Sequence, residues 1–239
     1  MNLRQRPRGL AVMHQQWADL LFLHWKIPPA EIQRLLPKGL FVDTFHGDAW
    51  IGIVPFSMNR IRPSFLPPVP GISWFLELNV RTYVYDENGV PGVWFFSLDC
   101  NQPLAVTLAQ QWFHLPYQNA EMQLKKSRNW IDYTCRRESD LVQEAAHYRY
   151  QACQNGIVAD IGTLEFFLLE RYLLFSADQN GDIYTGQVHH SPYRFTPAIC
   201  EKYSSLPLQW EGFSLPKSPD SMLVAENVDV VIFPLLKSL

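Results

Sequence analysis

The strictest pattern in this sequence is an alternation of side-chain types over residues 75–85. Leucine, valine and threonine occupy the even positions. Polar and aromatic side chains occupy the odd positions, namely Phe75, Glu77, Asn79, Arg81, Tyr83 and Tyr85. Successive side chains of a β-strand point to opposite faces, so the pattern predicts a strand with one purely packing face. The turn sequence Asp-Glu-Asn-Gly at 86–89 and the apolar run at 93–98 predict a hairpin.

The polar and aromatic face of this strand has two interpretations. Antiparallel sheets often expose one face to water, and such a face needs no ligand. A face that combines Glu77, Asn79 and Arg81 with aromatic rings is also typical of a barrel interior or a ligand-binding cleft. The residues alone leave both interpretations open.

Strand and turn signals continue along the rest of the chain. Residues 172–177 and 183–190 flank the turn sequence Asp-Gln-Asn-Gly, which predicts a second hairpin. Residues 28–36 predict a short helix that begins at two prolines. The proline-rich segment 62–73 predicts a loop, either a surface connection or a lid beside a cavity.

Many short strands and three short helices predict an α+β fold dominated by antiparallel sheet. No internal repeat, low-complexity tract or linker divides the chain. We therefore expect residues 1–239 to form a single domain, with residues 1–12 as a flexible N-terminal arm.

Residues 101–118 predict a helix followed by a rigid turn. Asn101 can cap the helix, and Pro103 fits its first turn, where a missing N–H costs nothing. Apolar residues that recur on one face, which should be buried, are Leu104, Leu108 and Trp112. Pro116 ends the helix and largely fixes the direction in which Tyr117 leaves the turn. A core helix and an ordinary turn would also explain the pattern without any function.

Composition narrows the classes of function. A net charge of −3 and a pI near 6.2 give no general attraction to nucleic acid. The sequence has neither an apolar run of membrane-spanning length nor the apolar core of a signal peptide, so we expect a cytoplasmic protein without a membrane partner. The four cysteines are scattered, which favours reduced thiols.

Motifs for metals, cofactors and nucleophiles are missing from the sequence. His189 and His190 are adjacent, and adjacent strand residues point to opposite faces, so they predict no metal site. No glycine-rich loop precedes a helix, and no serine lies in a Gly-x-Ser-x-Gly setting. We expect no metal and no cofactor.

Two stretches resemble the acetoacetate decarboxylase-like superfamily. The segment 109–117, AQQWFHLPY, resembles the superfamily's Gly-Arg-Glu motif and the aromatic-Pro-Lys sequence that follows it. The strand at 75–84 resembles the one that carries a glutamate into the superfamily's cavity, at the position of Glu77. With GVWFFSLD, LPYQNAEM and LERYLLF, the pattern is similar to an uncharacterised bacterial branch, the YqjF-like proteins. The resemblance implies a barrel-like cone of mainly antiparallel strands with a few short helices and an internal cavity.

The chain departs from the superfamily at the residues that carry its chemistry. The superfamily's lysine forms a Schiff base with the substrate ketone, and Tyr117 occupies that position here. Gln118 stands where a second lysine is common, and Gln110 replaces the arginine of Gly-Arg-Glu. Schiff-base catalysis needs a lysine whose pKa is lowered by burial or by a neighbouring cation. We therefore expect a lysine-free member that forms no imine with ketones and is not a Schiff-base decarboxylase.

Two functions from different classes remain. One is a binding protein that holds a small organic acid or a carbonyl compound in an internal cavity. The other is a lysine-free lyase or isomerase, in which Glu77 is the general acid or base and Tyr117 donates a hydrogen bond to a carbonyl or enolate oxygen. A purely structural role is a third interpretation, and a homo-oligomer is compatible with each.

Arg81 is the candidate residue for recognising an acid, because a guanidinium can donate two parallel hydrogen bonds to a carboxylate. Glu170 is the competing partner for this arginine. The candidate catalytic residues are Glu77 and Tyr117. The candidate ligand-binding residues are Phe75, Asn79, Arg81, Tyr83, Trp94, Glu170 and Arg171.

Overall fold

The structure is a computed structural model that describes residues 3–141, 143–215 and 218–238, without the side chains of residues 108–112. Strands account for most of its regular structure. The strands of the first part of the chain are β1 (Met13–Ala18), β2 (Leu20–Ile27), β3 (Leu40–Val42), β4 (Thr44–Phe45), β5 (Asp48–Pro63), β6 (Phe75–Asp86), β7 (Pro91–Cys100), β8 (Tyr117–Ser127) and β9 (Trp130–Arg137). Those of the second part are β10 (Ala146–Ala152), β11 (Ile157–Val158), β12 (Leu173–Ala177), β13 (Ile183–His189), β14 (Arg194–Lys202), β15 (Ser221–Ala225), β16 (Val228–Ile232) and β17 (Leu236–Lys237). The described helices are α1 (Pro29–Gln33), α2 (Pro103–Phe113), α3 (Leu164–Leu169) and α4 (Leu206–Trp210).

Both predicted hairpins form. β6 pairs with β7, and β12 pairs with β13, in antiparallel register across the expected turns. Gly89 and Gly181 have φ angles of 72° and 83° at these turns, in a region that glycine enters without steric cost. The predicted α+β class with mainly antiparallel strands is confirmed.

The strand pairings form two closed rings of neighbouring strands, here called circuits, that share β5, β6 and β7. The first circuit continues from β7 through β8, β9, β10, β14, β15 and β2 back to β5. The second continues from β7 through β12, β13, β16 and β1 back to β5. The pairings of β7 with β8 and with β12 are parallel, and every other pairing in the circuits is antiparallel. The shared strands therefore separate two interiors.

The two faces of β6 are buried in these different interiors. Leu78 and Val80 are fully buried with Tyr133 and Tyr148 inside the first circuit. Phe75, from the odd-numbered face, packs in the core cluster of the second circuit. The predicted packing face is confirmed, and the opposite face is also buried at Phe75, Glu77 and Asn79 because a second set of strands covers it.

The cap of helix α2 differs from the prediction. Gln102, rather than Asn101, accepts a hydrogen bond from the backbone N–H of Leu104 at 3.3 Å. The Gln102 amide also donates to the carbonyl oxygen of Gly71 at 2.7 Å. Asn101 instead accepts from the N–H of Leu76 at 2.8 Å. The first turn of α2 is thereby fixed to the proline-rich segment.

The buried face of α2 also differs from the prediction. Leu104 is 46% exposed, whereas Val106 is buried in the core. Four-residue spacing identifies an apolar stripe on a helix but does not show whether that stripe faces the core. The side chains of Leu108 and Trp112 lie outside the described part of the structure.

The N-terminal segment is described from residue 3 onward, and it makes a specific contact. The Arg4 guanidinium lies 3.0 Å from the carboxylate of Glu170 and 4.7 Å from the ring centroid of Phe166. The flexibility of residues 1–12 stays a prediction. Within the described ranges, no helix has the length and hydropathy of a membrane span.

Candidate functional site

A cavity of about 320 Å³ lies within the second circuit. Every strand of that circuit contributes to its wall, as do β2 and the proline-rich segment 64–74. Apolar side chains in the wall include Phe22, Phe56, Leu66, Val69, Leu98 and Ile232. β6 contributes four successive odd positions, which are Phe75, Glu77, Asn79 and Arg81. Four of the six residues of the polar and aromatic face therefore line this cavity.

Glu77 and Tyr117 meet in the cavity wall. Tyr117 follows the Pro116 turn and begins β8, which is paired with β7 through Leu98. Its hydroxyl donates a hydrogen bond of 2.7 Å to Glu77 Oε2. Burial raises the pKa of Glu77 from 4.5 to about 7, although hydrogen bonds from Tyr117 and Asn79 oppose this change. Near neutral pH, Glu77 is therefore divided between its acid and carboxylate forms.

Asn79 lies next to Glu77 on the same face, and it is only 5% exposed. Its hydrogen bond to Glu77 lowers the pKa of that carboxyl group, as a donor to a carboxylate does, so the Nδ2 atom faces Glu77. The other amide atom, Oδ1, is buried and has no hydrogen-bond partner among the described residues. Asn79, which lines the cavity, thus has a buried acceptor that no described residue uses.

Arg81 reaches the cavity without an ion-pair partner among the described residues. Its Nη2 atom donates to the carbonyl oxygen of Leu168 at 3.1 Å and lies 3.4 Å from the Tyr83 hydroxyl. Its guanidinium carbon is 5.2 Å from the ring centroid of Phe22, and its Nε atom is buried without a partner. The contacts that hold this cation are all neutral.

Tyr83 lies on the same face of β6 but outside the cavity wall. It is fully buried, and its hydroxyl donates to Leu168 O at 2.8 Å and lies 2.7 Å from His24 Nε2. Its ring centroid is 5.1 Å from that of Phe167. Helix α3 covers this part of the face, so Tyr83, a candidate ligand-binding residue of the sequence, contacts Arg81 and does not line the cavity.

Glu170 and Arg171 are placed differently from each other. Glu170 accepts from Arg4 and from the Tyr172 hydroxyl (2.6 Å), and it does not line the cavity. Arg171 does line the cavity, but its Nη1 lies 2.7 Å from the Asp43 carboxylate. Burial lowers the pKa of Arg171, which the charge of Asp43 opposes. The competing pair between Arg81 and Glu170 therefore does not form.

Trp94, a candidate ligand-binding residue of the sequence, does not line the cavity. It lies opposite Thr82 in the β6–β7 register, so it shares the packing face and contacts the cluster of Leu40, Val84 and Phe175. Its neighbours Val93 and Phe95 line the cavity instead. A shift of one residue in a strand moves a side chain to the opposite face.

Some of the residues that line the cavity were not identified from the sequence. Phe22 belongs to the uniformly apolar run at 20–23, where no polar residue marks one face. The proline-rich segment was a lid candidate, and it contributes Leu66, Val69 and Ile72 to the wall. The hydrophobic residues beside its prolines were the sequence feature that could have identified these wall residues. Whether the segment moves stays a prediction.

No group of three or more His, Cys, Asp or Glu side chains within the described ranges could hold a metal ion. His190 is buried, and its Nδ1 lies 2.7 Å from the carbonyl oxygen of Ser191. Its ring is stacked 4.8 Å from that of Tyr172. This histidine therefore packs in an aromatic cluster.

Comparison with known proteins identifies relatives over almost the whole chain. The model of the DUF2071 family, described as an uncharacterized conserved protein, matches residues 14–229. The uncharacterized protein YqjF of Bacillus subtilis (strain 168) is 38% identical over 232 residues, which are 97% of this chain and 94% of that protein.

Solved structures with a similar fold are more distant in sequence. The enduracididine biosynthesis enzyme MppR, complexed with pyruvate, has a TM-score of 0.66 at 11% identity, over 95% of this chain and 90% of that one. Acetoacetate decarboxylase from Legionella pneumophila has a TM-score of 0.65 at 11% identity, over 98% of this chain and 92% of that one. At such identities the likeness shows the fold alone. The chain thus belongs to the DUF2071 family and has the acetoacetate decarboxylase-like fold that its sequence resemblance implied.

Proposed function

We propose that this protein binds a small organic acid in the cavity, without a covalent bond, and that Arg81 recognises the carboxylate. The observation that carries the proposal is the setting of Arg81, which lines the cavity and has no ion-pair partner among the described residues. Arg81 is partly exposed, and a guanidinium whose protein contacts are all neutral keeps hydrogen-bond donors and its charge available to an anion. Glu170 and Asp43 are engaged by other arginines.

The rest of the wall suits the body of such an acid. Ligand cavities are usually apolar with a few convergent polar groups, and about 320 Å³ is at the small end of their usual range. Phe22, Phe56 and Leu98 supply apolar contacts close to β6. MppR, a distant neighbour of the same fold, has a structure with pyruvate, which is itself a small organic acid.

The test compares an acid with its amide by titration calorimetry. We expect phenylacetate to bind the wild type more tightly than phenylacetamide, because only the acid gains charged hydrogen bonds to Arg81. Arg81→Gln should remove this preference by weakening acid binding by about 2 kcal/mol, roughly thirtyfold, and leave amide binding nearly unchanged.

Arg60→Gln is the matched control, because it removes the same charge from an exposed residue that pairs with Asp229. It should keep the preference for the acid. Equal affinities of the acid and the amide for the wild type would contradict the proposal.

A second candidate function, proton transfer, is favoured by the state of Glu77. A carboxyl group with a pKa of about 7 can both donate and accept a proton near neutral pH. Tyr117 donates to Glu77, so in this function it positions the carboxyl group rather than the substrate. The reaction class is exchange of a proton on the carbon next to a carbonyl group.

This candidate predicts that the protein exchanges the C3 protons of 2-oxobutyrate for deuterium in D2O, as followed by proton NMR. Glu77→Gln should abolish exchange because an amide neither accepts nor donates the proton, and Tyr117→Phe should slow it. If the wild-type protein does not raise the exchange rate above the uncatalysed rate, the proton-transfer candidate is refuted and binding remains the proposed function.

A further inference from the structure

We infer that the cavity selects acids that carry a hydrogen-bond donor close to the carboxylate, and hydroxy acids in preference to keto acids. This inference rests on the proposed function, because it takes Arg81 as the site of the carboxylate. It adds Asn79 as the residue that determines specificity.

The strand geometry sets the spacing of the two groups. Asn79 and Arg81 are two residues apart on the same face of β6, so their Cα atoms are roughly 7 Å apart. Both residues line the cavity. One small ligand can therefore meet both side chains, with its carboxylate at Arg81 and its next functional group toward Asn79.

The neighbours of Asn79 determine which atom of its amide is left without a hydrogen-bond partner. Nδ2 donates to the carboxylate form of Glu77, so in that form the amide cannot rotate to present a donor to the ligand without losing that bond. The residues opposite Asn79 on the adjoining strands are Val54 and Leu98, whose side chains have no donor for Oδ1. The atom is buried and unpartnered among the described residues. Such an acceptor is rare in folded proteins and calls for a partner.

A hydroxyl group supplies that partner, whereas a carbonyl group does not. The hydroxyl of a hydroxy acid can donate to Oδ1 while the carboxylate meets Arg81. The carbonyl oxygen of a keto acid is only an acceptor, so it would face another acceptor and leave both atoms unpaired. An ammonium group could also donate, but its positive charge would lie beside Arg81. The hydroxy acid is the class that satisfies both residues.

The test uses three acids with one aromatic body, namely mandelate, phenylglyoxylate and phenylacetate, in titration calorimetry with the wild type. We expect the better-fitting enantiomer of mandelate to bind about tenfold more tightly than phenylglyoxylate, as one net hydrogen bond allows. Phenylacetate, which carries neither oxygen function, should bind more weakly than mandelate. In Asn79→Leu, which keeps the bulk but removes the acceptor, mandelate should lose its advantage.

The wild-type comparison decides the inference even if Asn79→Leu does not fold. Phenylglyoxylate affinity equal to or greater than that of both mandelate enantiomers would overturn it. A crystal structure with mandelate whose hydroxyl does not contact Asn79 would also overturn it. Failure of the proposed function gives a different result, because phenylacetate and its amide would then bind equally. Acid binding that depends on Arg81, without a preference for the hydroxyl, would refute only this inference.

Discussion

At the scale of single residues, the cavity wall combines a cation with a carboxyl group that titrates near neutral pH. Arg81 brings the positive charge, and Glu77 changes from neutral to negative as the pH rises through about 7. The burial that causes this high pKa is that of Glu77, which is only 3% exposed, whereas Arg81 is partly exposed. The charge inside the cavity therefore depends on pH in the physiological range.

The first residue-scale prediction concerns stability. The native pKa of Glu77, about 7, lies above its ordinary value of 4.5, so the native state binds this proton more tightly than the unfolded state. Stability is therefore full below pH 4.5, falls as the pH rises, and levels off above 7, with a total loss of about 3 kcal/mol. Chemical denaturation across this range should show the loss relative to Glu77→Gln.

Glu87→Gln is the control, because Glu87 is exposed. This variant should keep the wild-type dependence on pH. If Glu77→Gln and the wild type lose stability in parallel between pH 4.5 and 7, Glu77 does not titrate near neutrality in the native state.

At the scale of elements, β6 was predictable because its pattern is local. Alternation fixes which side chains share a face, and Asn-Gly fixes the turn, so both features can be read from adjacent residues. The position of Trp94 depends on the pairing register with β7, which shifts between Val80 and Arg81. Tyr83 is buried because it is covered by α3, a helix that lies more than eighty residues further along the chain.

One prediction at the scale of elements concerns the proline-rich segment 64–74. Leu66 lines the cavity although it is 56% exposed, whereas its neighbour Phe65, which is 84% exposed, does not. Leu66→Ala should weaken phenylacetate binding by about 1 kcal/mol, since part of the apolar contact is lost, and Phe65→Ala should leave it unchanged. Titration calorimetry measures both. Equal effects of the two variants would show that the ligand does not contact the inner side of this segment.

At the scale of the whole molecule, the cavity exists because distant parts of the chain close around β5, β6 and β7. Its wall joins Met13 of β1 with Ile232 of β16, which are direct partners in the pairing of these strands. The sequence resemblance implied such a cavity, but residue patterns alone could not, because two parallel pairings of β7 complete the circuits. Pairings between remote strands leave no local pattern in the sequence.

In the proposed function, Arg81 receives the carboxylate of a small acid inside this cavity. A crystal structure of the protein with phenylacetate tests it most directly. We expect a carboxylate oxygen within about 3 Å of the Arg81 guanidinium, and the phenyl ring against the apolar wall that includes Phe22 and Leu66. Phenylacetate bound elsewhere on the protein, or bound in the cavity with its carboxylate away from Arg81, would refute this role of Arg81.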